Sequence, residues 1–161
     1  MIKVQEAPML HGIVQSDKRL LRVIQQYGCL FLCFAEASPM IFAGEEGIKA
    51  LNALWKKAEE EGAVSGDLNR DGDYDDKGEA EVKDHNKLAK IFAMSVHYDG
   101  KHHDPKEKIP PDVKHVFGCF FWESTHFVNL SRRLDVTHDP IGESNTVKNG
   151  YLKNTRWYYA D

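Results

Sequence analysis

Apolar residues recur at helical spacing through the first half of the chain. Ser16 and Asp17 are good capping residues and open a predicted helix over residues 16–26. A second helix is predicted from Cys29 to the residues before Pro39. Because this helix is apolar nearly all round, it should be buried on most sides. A third helix is predicted over residues 45–61, where an apolar stripe faces away from the charged side chains.

The second half changes to strand patterns. Short runs rich in β-branched and aromatic residues predict strands over residues 115–122, 126–130, 134–137 and 155–160. The polar, proline-bearing stretch 97–111 is predicted to be a loop. Helices followed by antiparallel strands indicate an α+β fold, with residues 1–161 as a single domain and an acidic insertion at about 65–81.

Composition excludes several classes of function. The 161 residues carry 21 basic and 25 acidic side chains, so the net charge of -4 argues against a nucleic-acid partner. No apolar run approaches the roughly 18 residues of a membrane span, so no membrane insertion is expected. The first residues lack the pattern of a signal peptide, which predicts a protein that is cytoplasmic as synthesised. With three cysteines, a disulfide framework is not expected, and the thiols should serve packing or chemistry.

Among the three cysteines, Cys29 has the predicted position that most favours a reactive thiol. It follows Gly28 directly, at the amino end of the second predicted helix. Unpaired backbone N–H groups and the positive end of the helix dipole favour a thiolate there. The alternative is a buried cysteine that acts as a small hydrophobe. Cys33, one turn further on, and Cys119, in an apolar strand, are expected to belong to the core.

A thiolate nucleophile needs a base, and the base needs a group that orients it. Among eight histidines, His126 is placed best, because it opens an apolar strand and can face a cleft from there. The next strand ends at Asp139-Pro140. In a hairpin the start of one strand lies beside the end of its partner, so Asp139 should lie near His126 and fix the tautomer of its ring.

This ordered set resembles the papain-like cysteine peptidases, in detail the C39-like branch. The resemblance spans about residues 20–160 and rests on Gly28-Cys29 heading a helix, His126 opening a strand, and Asp139-Pro140 followed by Gly142. It implies a papain-like α+β fold, a helical amino-terminal part packed on an antiparallel sheet. It also implies that Cys29 is the nucleophile, His126 the general base and acid, and Asp139 the orienting group. The glutamine that this family places ahead of the cysteine, an oxyanion donor, would be Gln26 or its neighbour Gln25.

The function implied by the resemblance is a thiol hydrolase that cleaves amide bonds through an acyl-enzyme. Its substrate would be a peptide or the stem peptide of peptidoglycan. By analogy with the family, it would be a phage- or bacterium-encoded lytic hydrolase, an endolysin that acts on the cell wall. An acyltransferase with the same triad, and a non-catalytic calcium-binding or interaction module of papain-like shape, stay open as alternatives. A zinc amidase finds no convincing set of three ligands in the sequence.

The acidic insertion has the spacing of a calcium loop. Oxygen-bearing side chains stand at alternate positions, with Gly72 at the sixth place for the sharp turn. The ligands predicted by this spacing are Asp67, Asn69, Asp71, Asp73 and Asp75, with Glu79 one place beyond the usual twelfth. A structural calcium ion is therefore predicted, and the alternative is a solvated acidic loop. The run 97–104 contains adjacent histidines that a transition metal could bind, but solvated side chains are the favoured interpretation.

Calcium binding predicts a calcium-dependent melting temperature. Because an ion that binds the folded chain stabilises it by mass action, saturating calcium should raise Tm by several degrees over a chelated sample. Magnesium should raise Tm less, since an all-protein oxygen site suits the larger ion. Calorimetric melting in the two ions and in chelator measures both effects, and superimposable curves would exclude the site.

Overall fold

The computed structural model describes residues 10–67, 70–71 and 78–161, and it has the predicted α+β class. Within these ranges, no helix is both long and apolar enough to cross a membrane. The helices are α1 (Arg22–Tyr27), α2 (Cys29–Ala37), α3 (Gly44–Glu60), α4 (His85–Ile91) and α5 (Asn145–Asn149). The strands are β1 (Val96–Tyr98), β2 (Val113–Trp122), β3 (Ser124–Leu130), β4 (Val136–His138) and β5 (Tyr151–Ala160).

The five strands form one antiparallel sheet in the order β1-β5-β2-β3-β4. Strand β3 pairs with β2 in a regular register that sets His126 opposite Phe120. On its other side β3 pairs with the short edge strand β4, with Asn129 opposite His138. The sheet therefore holds His126 on a strand that is paired on both sides, with the start of the 139–144 turn just beyond β4.

Helix α2 is buried between the sheet and the other helices, as its apolar sequence predicts. Its side chains from position 30 to position 35 are all buried. Phe31 contacts Trp55 of α3 edge to face, with ring centroids 5.1 Å apart. On the sheet side, Phe34 packs edge to face against Phe117 and Tyr158, both at 5.3 Å. These aromatic contacts fix the helix on both of its long faces.

A buried asparagine joins α2 to two strands. The Asn129 Nδ2 of β3 donates to the Cys33 carbonyl oxygen at 3.0 Å, and its Oδ1 lies 2.8 Å from His138 Nδ1. Burial lowers the pKa of His138 to about 4, so this ring is neutral near pH 7. Because Oδ1 can only accept, Nδ1 of His138 carries the proton and donates it. One side chain thus ties α2, β3 and β4 together.

The first predicted helix begins later than its capping residues suggest. Instead of capping a helix at residue 16, Asp17 accepts a hydrogen bond from the Arg19 backbone at 3.0 Å and pairs with its guanidinium at 2.8 Å. This local pair closes a turn, and the helix starts only at Arg22. The second and third helices begin and end within a residue or two of their predicted limits.

The prediction of a loop over residues 97–111 is wrong at the start of this segment. The segment is also attached to the sheet. Residues Val96–Tyr98 form β1, and His103 exchanges two backbone hydrogen bonds with Thr155 of β5. The His103 ring stacks on Trp157 at 3.4 Å between centroids. Its nitrogens lie 2.7 Å from Asp99 and 3.2 Å from Glu107. The interpretation of solvated histidines therefore fails for His103, which is buried.

Replacing Asn129 with alanine should destabilise the fold by about 2–3 kcal/mol, because it leaves the half-buried His138 donor without an acceptor and the buried Cys33 carbonyl oxygen without this donor. Urea denaturation measures this loss. The exposed Asn149 provides a matched control, and Asn149→Ala should change the free energy of unfolding by less than about 0.5 kcal/mol. Equal midpoints for the two variants would contradict the linking role of Asn129.

Candidate thiol, imidazole and carboxylate site

Cys29 is the first residue of α2, where the sequence predicts a helix to begin. The chain enters α2 directly from α1 through Gly28, whose N–H donates to the Ile24 carbonyl oxygen at 2.9 Å. A Cβ added at Gly28 would lie 2.6 Å from that oxygen, which is too close for any side chain. Only glycine lets the two helices meet at this spacing, and the meeting point leaves the thiol partly exposed at the amino end of α2.

The other two cysteines belong to the core, as predicted. Cys33 and Cys119 are both buried. Burial raises the pKa of the Cys33 thiol well above its usual range and raises that of Cys119 as well. Neither thiol is therefore suited to form a thiolate near pH 7.

His126 and Asp139 lie in contact, which confirms the proximity that the hairpin predicts. The His126 Nε2 is 2.7 Å from Asp139 Oδ1, and the two side chains are only 6% and 5% exposed. The Cys29 thiol interacts with the same imidazole and raises its pKa. Because Nε2 is engaged by the carboxylate, Nδ1 is the nitrogen left to face the sulfur. The structure thus brings sulfur, imidazole and carboxylate together in the predicted order.

The electrostatics of this cluster favour a charged imidazole. Burial alone would lower the pKa of His126, but its interactions with Asp139 and Cys29 outweigh burial and raise the pKa to about 9. Burial likewise opposes ionisation of Asp139, yet the hydrogen bonds from His126 and Ser144 lower the pKa of this carboxyl to about 2. Protonation of His126 therefore stabilises the fold fully below about pH 6.5, and this contribution is lost as the pH rises through about 9.

Four donors hold the Asp139 carboxylate. Oδ1 accepts from His126 and from the Ile141 backbone at 3.0 Å. Oδ2 accepts from the Ser144 backbone at 3.1 Å and from its hydroxyl at 2.6 Å. The same hydroxyl accepts from the Val147 backbone and caps α5. Ser144 was not predicted from the sequence, although a serine directly before a short polar helix is a capping signal.

Cys29 lines a cleft with a volume of about 780 Å³. Thr125 and Phe127, which flank His126 on β3, line the same cleft. Gln26, the oxyanion donor expected from the resemblance, lines the cleft as well. It is exposed on α1. The cleft has the size and the polar lining of a site for a small substrate or a few residues of peptide.

A second glutamine lies close to the site and was missed from the sequence. Gln15 is buried, and its backbone donates to the Pro140 carbonyl oxygen, next to Asp139, at 2.7 Å. Its Nε2 donates to the Gln25 carbonyl oxygen at 3.2 Å. Its Oε1 is buried without a hydrogen-bond partner in the described part of the chain. The polar residues that follow Gln15 in the sequence gave no sign that this amide would be buried.

The predicted calcium ligands fall only partly within the described residues. Asn69, Asp73 and Asp75 lie outside them, whereas the Asp67 carboxylate accepts a hydrogen bond from the Asp71 backbone at 3.3 Å. Glu79 is buried and lines the cleft beside Cys29. In the ranges that the structure describes, no three histidine, cysteine or acidic side chains are grouped to hold a metal ion. Calcium binding stays a prediction from the sequence.

Removing the Asp139 charge should lower the pKa of His126. Asp139→Asn removes one of the two groups that outweigh burial, so the ring should titrate well below 9. Proton–carbon NMR of the histidine rings measures this directly, with the His126 signal assigned from its absence in His126→Gln. Asp135→Asn removes an exposed carboxylate from the same hairpin and should leave the titration near 9. An unchanged titration in Asp139→Asn would show that the pair does not set the charge of the ring.

Comparisons of the chain with models of protein families, with curated proteins and with solved structures find no match. The chemistry of Cys29, His126 and Asp139 is accordingly the ground for a functional assignment.

Proposed function

We propose that this protein is a thiol hydrolase of papain-like type that cleaves amide bonds through an acyl-enzyme on Cys29. The observation that supports the proposal best is the cluster of the Cys29 thiol, the His126 imidazole and the Asp139 carboxylate, in which Asp139 Oδ1 lies 2.7 Å from His126 Nε2 and Cys29 is close enough to raise the pKa of the ring. A nucleophile, a base and a group that orients the base are the three elements that such chemistry requires.

In the first half of the reaction, the Cys29 sulfur, as thiolate, attacks the carbonyl carbon of the scissile amide. An S–C bond forms, and the carbonyl oxygen becomes an oxyanion. When the tetrahedral intermediate collapses, the C–N bond breaks, and the proton on His126 Nδ1 passes to the leaving nitrogen, which departs as a free amine. The enzyme is left as a thioester with a neutral imidazole.

In the second half, water attacks the thioester carbonyl while His126 Nδ1 takes one of its protons. Collapse of the new intermediate breaks the S–C bond, releases a carboxylic acid and restores the Cys29 thiolate beside the imidazolium. Asp139 stabilises that imidazolium in both halves, because its carboxylate stays ionised with a pKa of about 2. The tautomer is fixed throughout, since Nε2 always faces Asp139.

The oxyanion needs hydrogen-bond donors that are already in place. The backbone N–H of Cys29 is one, because the first N–H groups of a helix have no acceptor within the helix. The second donor is Gln26, from the resemblance and from its position in the cleft. Gln15 is an alternative, since an amide nitrogen carries two donors and only one hydrogen bond is formed by its Nε2.

The proposed substrates are peptides or the stem peptide of peptidoglycan. The cleft, which polar and aromatic residues line, suits a chain of amide bonds. Action on the cell wall as an endolysin follows from the family resemblance alone. An acyltransferase would use the same acyl-enzyme and would differ only in passing the acyl group to an amine in place of water.

An activated ester tests the proposal without a known substrate. With the 4-nitrophenyl ester of N-acetylglycine, the protein should release a burst of nitrophenolate equal to one active site and gain one acetylglycyl group on Cys29, seen by intact-mass spectrometry. Cys29→Ala should lower turnover by at least about 10⁴-fold. Cys119→Ala, the matched control, should keep the burst because Cys119 is buried in the core.

Three further arms of this assay separate the roles. His126→Ala should slow acylation by about 10³-fold or more. A burst equal to that of the unmodified protein would show that Cys29 reacts as an ordinary thiol and would overturn the proposal. Gln26→Ala and Gln15→Ala assign the amide donor, since loss of an oxyanion donor costs about 10²- to 10³-fold in kcat. Added glycinamide distinguishes a transferase, which would yield acetylglycyl-glycinamide in preference to the free acid.

A further inference from the structure

Arg156 of β5 lines the cleft that contains Cys29, and the proposed reaction gives it no task. Its side chain is buried, with the residue 9% exposed. The guanidinium carbon lies 5.2 Å from the centre of the Phe127 ring, on the residue next to His126. Nε donates to Asn154 Oδ1 at 3.0 Å. The guanidinium is thus held in place by a ring face and by a neutral amide.

No carboxylate among the described residues forms a salt bridge with Arg156. Two carboxylates do line the cleft. Glu81 is exposed and pairs with Lys83 at 2.8 Å, and Glu79 is buried in the cleft wall and forms no salt bridge with the guanidinium. The positive charge of Arg156 is therefore not neutralised by an ion pair within this part of the chain.

Apart from the His126 imidazolium beside Cys29, the ionisable side chains next to Arg156 in the cleft add no second cation. Burial lowers the pKa of His85 to about 4, and burial together with Arg156 lowers the pKa of His102. Both rings are accordingly neutral near pH 7. Among the cleft-lining residues that the structure describes, Arg156 is the single arginine or lysine.

A buried guanidinium without an anionic partner is costly, because its charge has lost much of its hydration. Its planar fork of N–H donors matches the two oxygens of a carboxylate, and such bidentate pairs are strong at partly desolvated sites. The guanidinium is already oriented, because its Nε donates to Asn154 and one of its faces lies over the Phe127 ring. A carboxylate that enters the cleft would complete the pairing.

We propose that Arg156 is a specificity-determining residue that binds a carboxylate of the substrate, so that the hydrolase prefers peptides that place a carboxylate in this part of the cleft. This inference rests on the proposed function of Cys29. The carboxylate belongs either to an aspartate or glutamate side chain or to the free carboxyl end of a peptide. In both cases it pairs with Arg156 while the scissile amide lies at Cys29.

Alkylation of Cys29 tests the charge of the cleft without a substrate. Iodoacetate and iodoacetamide are similar in size and differ in charge, so the ratio of their second-order rates reports the local potential. Arg156→Gln should lower the ratio of iodoacetate to iodoacetamide rates by about fivefold, whereas Arg156→Lys should keep most of it. The His126 imidazolium contributes equally in all three proteins and cancels from the comparison.

Lys153→Gln is the matched control, because Lys153 is an exposed cation of the same strand outside the cleft. Its ratio should fall much less than that of Arg156→Gln, because solvent screens the exposed Lys153 ammonium. A ratio unchanged in Arg156→Gln would overturn the inference. If Arg156→Gln does not melt cooperatively, the inference is tested with Arg156→Lys and the peptide pairs described below.

Peptide pairs identify the carboxylate and its effect on binding. Internal glutamate against glutamine, and a free carboxyl end against a carboxamide, should differ by about tenfold in KM for whichever carboxylate Arg156 binds, with little change in kcat. Arg156→Lys should reduce that difference, since it loses the bidentate geometry. Equal KM values within both pairs would overturn the inference.

The two proposals fail in different ways. If Cys29 alkylates no faster in the unmodified protein than in His126→Ala, the proposed function fails. If alkylation depends on His126 but the ratio of iodoacetate to iodoacetamide rates does not change in Arg156→Gln, only the proposed role of Arg156 fails.

Discussion

The seating of α2 on β3 is the contact on which the candidate site depends. Apolar side chains all round the helix draw it between the sheet and α3, and the hydrogen bond from Asn129 to the Cys33 carbonyl oxygen fixes its position along the strand. Cys29 lies one helical turn before that carbonyl, and His126 lies three residues before Asn129. Core packing and catalytic geometry are therefore set by the same contact, and a shift that repacked the helix would also separate sulfur from imidazole.

The charges of the site are stabilised by hydrogen bonds more than by exposure to solvent. His126 and Asp139 are nearly inaccessible, and a pair of this kind is stable only when its remaining lone pairs and protons are satisfied. Asp139 meets that condition through the turn that follows it, where Ser144 serves the carboxylate and the helix α5 together. The side chain of Arg156 contrasts with this arrangement, because the cleft supplies a ring face and an amide but leaves its charge without an ion pair among the described residues.

The sequence predicts well those parts of the site that short segments define. Gly28-Cys29 marks the start of a helix because a helix boundary is a local event, and the hairpin relation of His126 to Asp139 spans thirteen residues. Asp17 misled the first prediction, since pairing with Arg19 competes with capping. The burial of His103 and the placement of Arg156 depend on strands far away in the sequence, which periodicity does not reveal. The papain-like resemblance and the calcium loop stay predictions.

The place of β5 in the sheet has a consequence for how the molecule folds. Strand β1 joins the sheet only through β5, with Val96 paired to Ala160, so the chain between them must close a long loop before this pairing forms. The β2–β3–β4 meander closes through much shorter loops, and it carries the imidazole and the carboxylate. Contacts of low sequence separation form at the smaller entropic cost. We therefore expect His126 and Asp139 to come together early in folding. The wall of the cleft to which Tyr98 belongs should form late.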